Sequence, residues 1–224
     1  MFNEKSNYMR EISLKTAQNI ESYINGYLTT VEAIAAFVST HDPYDIDHVV
    51  TILRMEAEKN GFKRMGVILK DGTAITTDGK TVDFSDREYF AEAMKGKSVV
   101  SDKLLVDKVD GKEINVVAAP VFYNGAVEEV IFATKTQEDF ANIMQISSFG
   151  GEGYSYIITA DGSPVVRTTH PNSVGEYTNL FDEISKNVSD ANYRTMKLNM
   201  AQGLDGTFEN RAGAVRKMVY YSKG

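Results

Sequence analysis

Two stretches decide the fold: MGVILKDGTAITT at residues 65–77 and its counterpart YSYIITADGSPVVRT at residues 154–168. In each, a run rich in Val, Ile and Thr leads into an Asp-Gly pair, and a second such run follows. Asp-Gly tolerates the positive φ angles of a tight turn, so each stretch is predicted to be a β hairpin. Because the hairpin occurs once in each half of the 224-residue chain, it predicts two modules of about 100 residues each.

The first half continues the pattern on both sides of its hairpin. A helix is predicted at 45–59 and ends at Gly61, and a short helix is predicted at about 86–95. Strands follow as SVVSDKLL, EINVVAAPVFY and VEEVIFATK, the last two joined by an Asn-Gly turn at 124–125.

The second half repeats this order. A helix that begins near QEDF is predicted to link the halves over 137–149, and another helix is predicted at about 178–201. The strands GTFEN and VRKMVYYS come last, with a turn at 212–213. Each half is therefore expected to be an antiparallel sheet with helices, which places the chain in the α+β class.

Residues 4–40 carry the clearest helical period in the chain, an apolar stripe at alternating spacings of three and four: Ala17, Ile20, Ile24, Tyr27, Val31, Ile34 and Val38. One helix of this length spans about 55 Å at 1.5 Å per residue, whereas a 100-residue module is only about 30 Å across. The helix must run alongside two modules or project from one. A long core helix and a partly dimeric helix both fit the stripe.

Composition excludes several classes of function. The net charge is −7 and the pI is about 5.1 without a basic run, so nucleic acid is not an expected partner. There is no cysteine, which excludes thiol catalysis, Cys-ligated zinc and disulfides. No signal peptide precedes Met1, and no apolar run reaches the roughly 20 residues of a membrane span. Phosphate-loop, Ser-His-Asp and HExxH patterns are absent, so no enzyme is predicted and no cofactor is implied.

The segment FSDREYF at 84–90 raises a question of its own. Ser85 and Glu88 have the spacing of a capping box, in which Ser85 caps a helix and Glu88 reaches back to it. Phe84 and Tyr89 then occupy the positions of a hydrophobic staple. Most of the segment is thus explained as a helix start.

Arg87 is the residue that a helix start does not explain, since a cation in the first turn opposes the helix dipole. One interpretation is an ion pair with Asp83, Asp86 or Glu88. The other is an anion site, in which the guanidinium binds a carboxylate or phosphate and Tyr89 adds an aromatic wall and a hydroxyl.

A cluster at 41–48 contains residue types that bind metals: His41, Asp42, Asp45, Asp47 and His48. Asp42 and Asp45 also suit a loop and a helix N-cap, and that interpretation is favoured. No metal site is therefore predicted.

The segments DREYFAEAMKGKSVVSDKLL and VAAPVFYNGAVEEVIFA resemble the membrane-distal module of a double Cache sensor domain, a PAS-like extracytoplasmic region of bacterial signalling proteins. GYSYIITADGSPVVRTTHP resembles the start of the membrane-proximal module, and the heptad helix resembles the stalk helix. The resemblance implies a stalk helix at 1–40, a distal module at 41–149 and a proximal module at 150–224, with two PAS-like modules stacked along the helix.

In that family the ligand usually lies in the distal module, and matching positions imply the ligand-contacting residues Asp86, Arg87, Tyr89, Ser101, Lys103 and Thr134. Arg87 would anchor an anion and Tyr89 would be the pocket aromatic. Members that bind amino acids need three further groups, and their places here hold Val82, Leu104 or Leu105, and Thr134. Groups to hold an α-amino cation are missing, so a small carboxylate or other small polar ligand is expected.

The expected function is the extracytoplasmic ligand-sensing region of a membrane-anchored histidine kinase, cyclic-dinucleotide enzyme or chemoreceptor, with the signal passing through the long helix. The stripe makes a homodimer through that helix an expectation. The second module lacks a counterpart of the strand VEEVIFATK, so the natural chain is expected to continue past Gly224 into a membrane segment. Two alternatives stay open: a hydrolase with a carboxylate pair, and a ligand-free structural or partner-binding ectodomain.

Overall fold

A computed structural model of the chain describes residues 2–42, 44–143, 151–186, 188–212 and 215–222. The helices of the described residues are α1 (Phe2–Val38), α2 (Ile46–Asn60), α3 (Glu88–Ala93), α4 (Gln137–Ile143), α5 (Leu180–Ser185) and α6 (Asp190–Ala201). The strands are β1 (Arg64–Leu69), β2 (Thr73–Thr76), β3 (Thr81–Asp83), β4 (Val99–Val100), β5 (Leu105–Val106), β6 (Glu113–Tyr123), β7 (Ala126–Thr136), β8 (Ile157–Ile158), β9 (Pro164–Val166), β10 (Gly206–Ala212) and β11 (Val215–Tyr221). None of the helices in the described part of the chain has the length and apolarity to cross a membrane.

The chain forms two compact units. The central unit is Tyr23–Phe140, and the terminal unit is Met1–Ser22 together with Ala141–Gly224. The division falls inside α1, so this helix contributes to both units. The domain limits of 1–40, 41–149 and 150–224 stay a prediction.

The long N-terminal helix was predicted at 4–40, and α1 confirms it over Phe2–Val38. In the heptad stripe, four side chains are buried and the other three are half-buried; the buried ones are Ile20, Val31, Ile34 and Val38. From Val31 onward the stripe belongs to the core of the central unit. The stripe thus packs within its own chain, which favours the core-helix interpretation.

The central unit is built on a seven-stranded antiparallel sheet in the order β3-β2-β1-β7-β6-β4, with β5 also paired to β6. The hairpin of β6 and β7 dominates the sheet, and its turn has positive φ at Asn124 (51°) and Gly125 (82°), as a tight Asn-Gly turn requires. The antiparallel sheet with its helices confirms the α+β class.

The two faces of this sheet bury different cores because side chains alternate along a strand. On β7, Ile131 and Ala133 face the core that contains α1 and α2. Val130 and Phe132 face the smaller core that contains α3. The candidate site lies on this second face.

The same backbone contact follows the hairpin in both units. In the central unit the amide of Phe84 donates to the carbonyl of Gly72 at 2.8 Å, and in the terminal unit Leu180 donates to Gly162 at 2.9 Å. Both glycines have positive φ, 88° and 92°. The turn of each hairpin therefore holds the segment at the start of the next helix, which confirms the repeated order of elements.

In the described part of the terminal unit there are two two-stranded sheets, β8-β9 and β10-β11, with a core of Phe181, Met196 and Phe208. The single helix predicted at 178–201 is wrong, because the chain forms α5 and α6 there. Ser189 starts the second helix, since its side chain accepts a hydrogen bond from the amide of Asn192.

One other predicted element changes, one observed strand was not predicted, and one predicted helix is described only in part. The strand SVVSDKLL is wrong as one strand, because it divides into β4 and β5, which pair with different parts of β6. The strand β3 was not predicted. Of the linking helix at 137–149, the structure describes α4, and residues 144–149 lie outside the described residues, as does Gly213 of the predicted turn at 212–213.

Candidate ligand-binding site

A cavity of the central unit opens beside α3. Its lining residues come from the segment before α3, from the segment around β5, and from β6 and β7: Phe84, Arg87, Tyr89, Leu105, Val106, Asp107, Lys108, Ile114, Val116, Phe132 and Thr134. The space enclosed by its walls is about 10 Å³, which is room for about one water molecule. A ligand larger than water therefore requires these walls to move apart.

A tight turn before α3 positions Arg87 at the cavity. The carboxylate of Asp83 accepts a hydrogen bond from the amide of Ser85 at 2.8 Å, and the amide of Arg87 donates to the carbonyl of Phe84 at 3.0 Å. Arg87 itself is the extended N-cap residue of α3, and its side chain makes no capping bond.

The predicted capping box of Ser85 and Glu88 is therefore wrong. Asp83 takes the Ser85 amide in a local turn, and the helix begins at Glu88, three residues after Ser85. The predicted contact of Phe84 with Tyr89 is present, with the rings edge to face and their centroids 6.2 Å apart. The same aromatic pair forms one wall of the cavity.

The guanidinium of Arg87 has unused hydrogen-bonding capacity. Its Nη2 donates to the carbonyl of Val106 at 2.8 Å, and its carbon Cζ lies 6.0 Å from the ring centre of Phe84. Its Nε is buried without a hydrogen-bond partner, and no carboxylate of the described residues forms an ion pair with it. Asp86, one predicted partner, pairs with Lys108 at 2.5 Å instead. The ion-pair interpretation of Arg87 is thus not what the structure shows.

Tyr89 lies deep in the cavity wall and is 7% exposed. Burial is the main cause that raises the pKa of its hydroxyl, and the positive charge of Arg87 offsets only part of that. The hydroxyl therefore stays neutral at physiological pH and can donate or accept a hydrogen bond.

Asp107 is the carboxylate of the lining, and its charge is already balanced. Its Oδ2 accepts from Nζ of Lys63 at 3.0 Å and from Nη1 of Arg64, and Oδ1 accepts from the amide of Val109 at 2.9 Å. Burial opposes the charge of Arg64, but the hydrogen bonds and charges of Asp78 and Asp107 outweigh it and raise the pKa of Arg64. Asp107 is therefore part of a buried ion network.

Of the predicted ligand-contacting residues, Arg87, Tyr89 and Thr134 line the cavity. The hydroxyl of Thr134 donates to the carbonyl of Arg64 at 3.2 Å. Its hydrogen is therefore already bonded within the sheet, and only its oxygen is left to accept a bond from a ligand.

The other three predicted residues do not line it. Asp86 and Lys103 are exposed, and Oγ of Ser101 accepts from the amide of Val116 at 3.0 Å. Whether these residues contact a ligand stays a prediction.

Sequence reasoning missed Asp107 and Lys108. Nζ of Lys108 donates to the carbonyl of Asp83 at 2.8 Å and lies 6.0 Å from the ring centre of Phe84. The sequence feature that could have indicated them is the polar turn DKVDGK between two strands. The pairing of β5 with β6 brings this turn to the segment before α3, and that pairing cannot be read from the turn itself.

The acidic and histidine cluster at 41–48 has a structural role. The side chain of Asp45 caps α2 by accepting from the amide of His48 at 3.1 Å, and Asp42 accepts from the amide of Tyr44 at 2.9 Å. In the described ranges, no three acidic or histidine side chains converge on a point where a metal ion could bind.

Comparison with known proteins gives a consistent result. The double Cache family model, described as a Cache domain, matches residues 3–223. The ligand-binding domain of the Pseudomonas fluorescens chemoreceptor CtaA, in complex with L-serine, is similar with a TM-score of 0.75 and 17% identity, over 97% of this chain and 89% of that one.

Two further solved structures show the same fold. The ligand-binding domain of the Pseudomonas aeruginosa PAO1 amino acid chemoreceptor PctC, in complex with GABA, has a TM-score of 0.67 and 22% identity, over 80% of this chain and 82% of that one. The sensory domain of the Campylobacter jejuni chemoreceptor Tlp3, with isoleucine bound, has a TM-score of 0.65 and 11% identity, over 97% and 87%. All three are sensory ligand-binding domains, which are not enzymes. The chain therefore belongs to the Cache domain family and is a double Cache sensor domain.

Proposed function

We propose that this domain senses a small carboxylate, bound in the cavity of the central unit with its anionic group against Arg87. The observation that carries the proposal is the buried Nε of Arg87, which has no partner within the described residues. A buried donor without a partner costs about 1–3 kcal/mol. A ligand oxygen at Nε would remove that cost and form a charge-assisted hydrogen bond.

The other walls of the cavity favour a short ligand with an apolar body. Phe84, Tyr89 and Phe132 supply aromatic surface, and Ile114 and Val116 supply aliphatic surface. The neutral hydroxyl of Tyr89 adds one polar contact. Once its walls move apart, such a site would suit a monocarboxylate with a few carbon atoms, with or without a hydroxyl.

The charges of the site disfavour an α-ammonium group. The solved relatives CtaA, PctC and Tlp3 hold L-serine, GABA and isoleucine, which all carry both a carboxylate and an amino group. Here the carboxylate of the lining, Asp107, is bound by Lys63 and Arg64. An ammonium group would find no free acid among the lining residues, whereas a carboxylate finds Arg87.

Thermal unfolding with matched ligand pairs tests this proposal. L-lactate and propionate are compared with L-alanine, which has the same carbon skeleton and adds the ammonium group. A bound ligand at about 100 times its Kd stabilises the folded chain by about 2.7 kcal/mol. We expect stabilisation by lactate or propionate and little by alanine.

Two variants make the test specific for the anchor. Arg87→Ala is expected to abolish stabilisation by the carboxylate. Arg54→Ala is the matched control, because Arg54 is an exposed arginine of α2 whose Nε donates to the carbonyl of Thr77. Unchanged carboxylate affinity in a folded Arg87→Ala variant would refute the anchor, and preferential binding of alanine would refute the charge argument.

We further infer that the domain lies on the extracytoplasmic face of the membrane, within a bacterial transmembrane signalling protein. The family match to chemoreceptor sensory domains supports this location. Strands β6 and β7 line the cavity on one face and pack towards α1 on the other. A ligand that binds one arrangement of these strands better than another would bias α1 by the difference in affinity.

We also propose a homodimer through α1, in which only part of the helix surface could contact the partner. Because the heptad stripe is buried within the chain, a partner would have to contact the exposed flank, which includes Tyr8, Tyr23 and Phe37. Sedimentation equilibrium of Tyr23→Glu and Phe37→Glu variants tests this, and an unchanged dimer in both would rule out that flank.

A further inference from the structure

A buried carboxyl group lies on the face of the sheet opposite the candidate site. Glu129 is a residue of β7 and pairs with Leu69 of β1 and Val121 of β6. Because side chains alternate along a strand, Glu129 shares its face with Ile131 and Ala133. Those residues belong to the core that packs against α1 and α2. The carboxyl group is therefore at the helix–sheet interface.

Glu129 is as buried as Asp107 but lacks comparable partners. Each residue is 3% exposed. Asp107 is bound by two cations, whereas Oε2 of Glu129 is buried without a hydrogen-bond partner, and no ion pair to Glu129 is found in the described residues. A buried ionised group without a cation or hydrogen bond is strongly disfavoured, and such a group keeps its proton.

The charges around Glu129 add to this effect. On its own strand, Glu128 opposes ionisation, although Glu128 is itself paired with Lys70 at 2.5 Å. On β6, burial raises the pKa of Tyr123 to about 12, and Glu129 and then Asp42, in the segment after α1, contribute further. Within the described residues no cation of β1, β6 or the helix layer acts on Glu129.

The carboxyl group of Glu129 lies close to the end of α1, so a change in its charge would affect the packing of that helix. The hydroxyl of neighbouring Tyr123 donates to the carbonyl of Val38, the last residue of α1, at 3.3 Å. Val121, which pairs with Glu129, is fully buried in the same core as Val31 and Val38. A charge at Glu129 would therefore arise next to the surface on which the end of α1 rests.

We propose that Glu129 makes the packing of the sheet against α1 sensitive to pH, because the interface holds the neutral carboxyl group and is weakened by the ionised one. Burial first, and the charge of Glu128 second, raise the pKa of Glu129 from 4.5 to about 7. The unfolded chain loses this proton near pH 4.5, before the folded chain does. The contribution of Glu129 to stability therefore falls as pH rises from about 4.5 to about 7 and is constant above that.

This sensitivity lies in the range of environmental pH and needs no ligand. It goes beyond carboxylate sensing at Arg87, which lies on the other face of the sheet. The domain would respond to acidity through α1 even if its cavity bound nothing, so the two proposals fail independently.

Thermal unfolding of the ligand-free chain between pH 5 and 8.5, in buffers without carboxylates, tests the proposal. Glu129→Gln keeps the shape and removes the charge, and Glu128→Gln is the matched control on the neighbouring position. We expect the midpoint of the wild type, relative to Glu129→Gln, to fall by roughly 5–10 °C across this range. The Glu128→Gln variant should follow the wild type.

Two direct measurements keep the proposal falsifiable if Glu129→Gln folds poorly. Carbon NMR of the wild-type chain labelled at the glutamate carboxyl should show one resonance that titrates near pH 7. Amide exchange at residues 31–38, corrected for its intrinsic pH dependence, should rise between pH 6 and 8. Parallel midpoints of wild type and Glu129→Gln, or glutamates that all titrate in the ordinary range, would overturn it.

Discussion

Replacing Gly72 with alanine tests how the hairpin turn holds the candidate site. Gly72 has φ of 88°, and a Cβ there would lie 2.5 Å from Cβ of Ser85, 2.6 Å from its Cα and 2.8 Å from its amide nitrogen. These are backbone atoms or atoms next to the backbone, so no flexible side chain can move aside. Ser85 lies in the turn that presents Arg87, and Gly72→Ala must therefore displace that turn.

The expected magnitude is the sum of two effects that a control separates. Gly79, in the same part of the sheet, has φ of 76°, but a Cβ there meets nothing within 4 Å. Gly79→Ala should cost about 1–2 kcal/mol for the left-handed conformation alone. Gly72→Ala should cost this amount plus about 1–3 kcal/mol for overpacking. That total is a large fraction of the 5–15 kcal/mol of a typical domain.

Urea unfolding followed by far-UV circular dichroism measures both variants. Because the chain has two compact units, hydrogen exchange in β1 and β2 assigns the affected transition to the central unit. Gly72→Ala should also reduce stabilisation by lactate or propionate more than Gly79→Ala does. Equal losses of stability in the two variants would refute the contact with Ser85 as the reason for a glycine at 72.

Two further contacts are tested by substitutions with matched controls, measured by thermal unfolding at neutral pH. Asp45→Ala removes the acceptor of the His48 amide and should lower the free energy of unfolding by about 1 kcal/mol. Asp45→Asn keeps a capping side chain and should change it little. Equal losses of stability in the two variants would argue against the cap. Arg64→Met leaves the buried Asp107 without one of its cations and should cost about 3 kcal/mol. Lys59→Met, at an exposed pair, should stay within about 1 kcal/mol, and a similar loss there would contradict the role of burial.

Elements with a strong local signal were predictable from the sequence. The apolar stripe of α1 and the Asp-Gly and Asn-Gly turns of the hairpins depend on residues a few positions apart, and the structure confirms them. Helix starts in polar segments were harder. At Ser85 two local hydrogen-bonding patterns compete, and the turn made with Asp83 is the one observed.

The candidate site was predictable only in part for the same reason. Arg87 was identified because a helix start did not account for it. Asp86 pairs with Lys108 and not with Arg87. Lys108 lies in a separate turn, and no sequence motif marks it. The carboxyl group of Glu129, which has no partner among the described residues, was not identified either. Two adjacent acidic residues near the start of a strand are typical of a solvent-exposed strand edge.

By itself, the sequence determined the α+β class, the order of elements, the long helix and the resemblance to double Cache domains. These properties follow from short-range periodicity and turn chemistry, which each segment carries alone. Only the tertiary structure decided which charges are neutralised and which are not. Arg64 and Asp107, 43 residues apart, meet because β5 and β6 pair beside β7, and this pairing balances the charge of Asp107. Among the residues that the structure describes, Arg87 keeps an unused donor and Glu129 has no cation partner. Burial and charge balance depend on neighbours distant in the chain, and local sequence does not specify those neighbours.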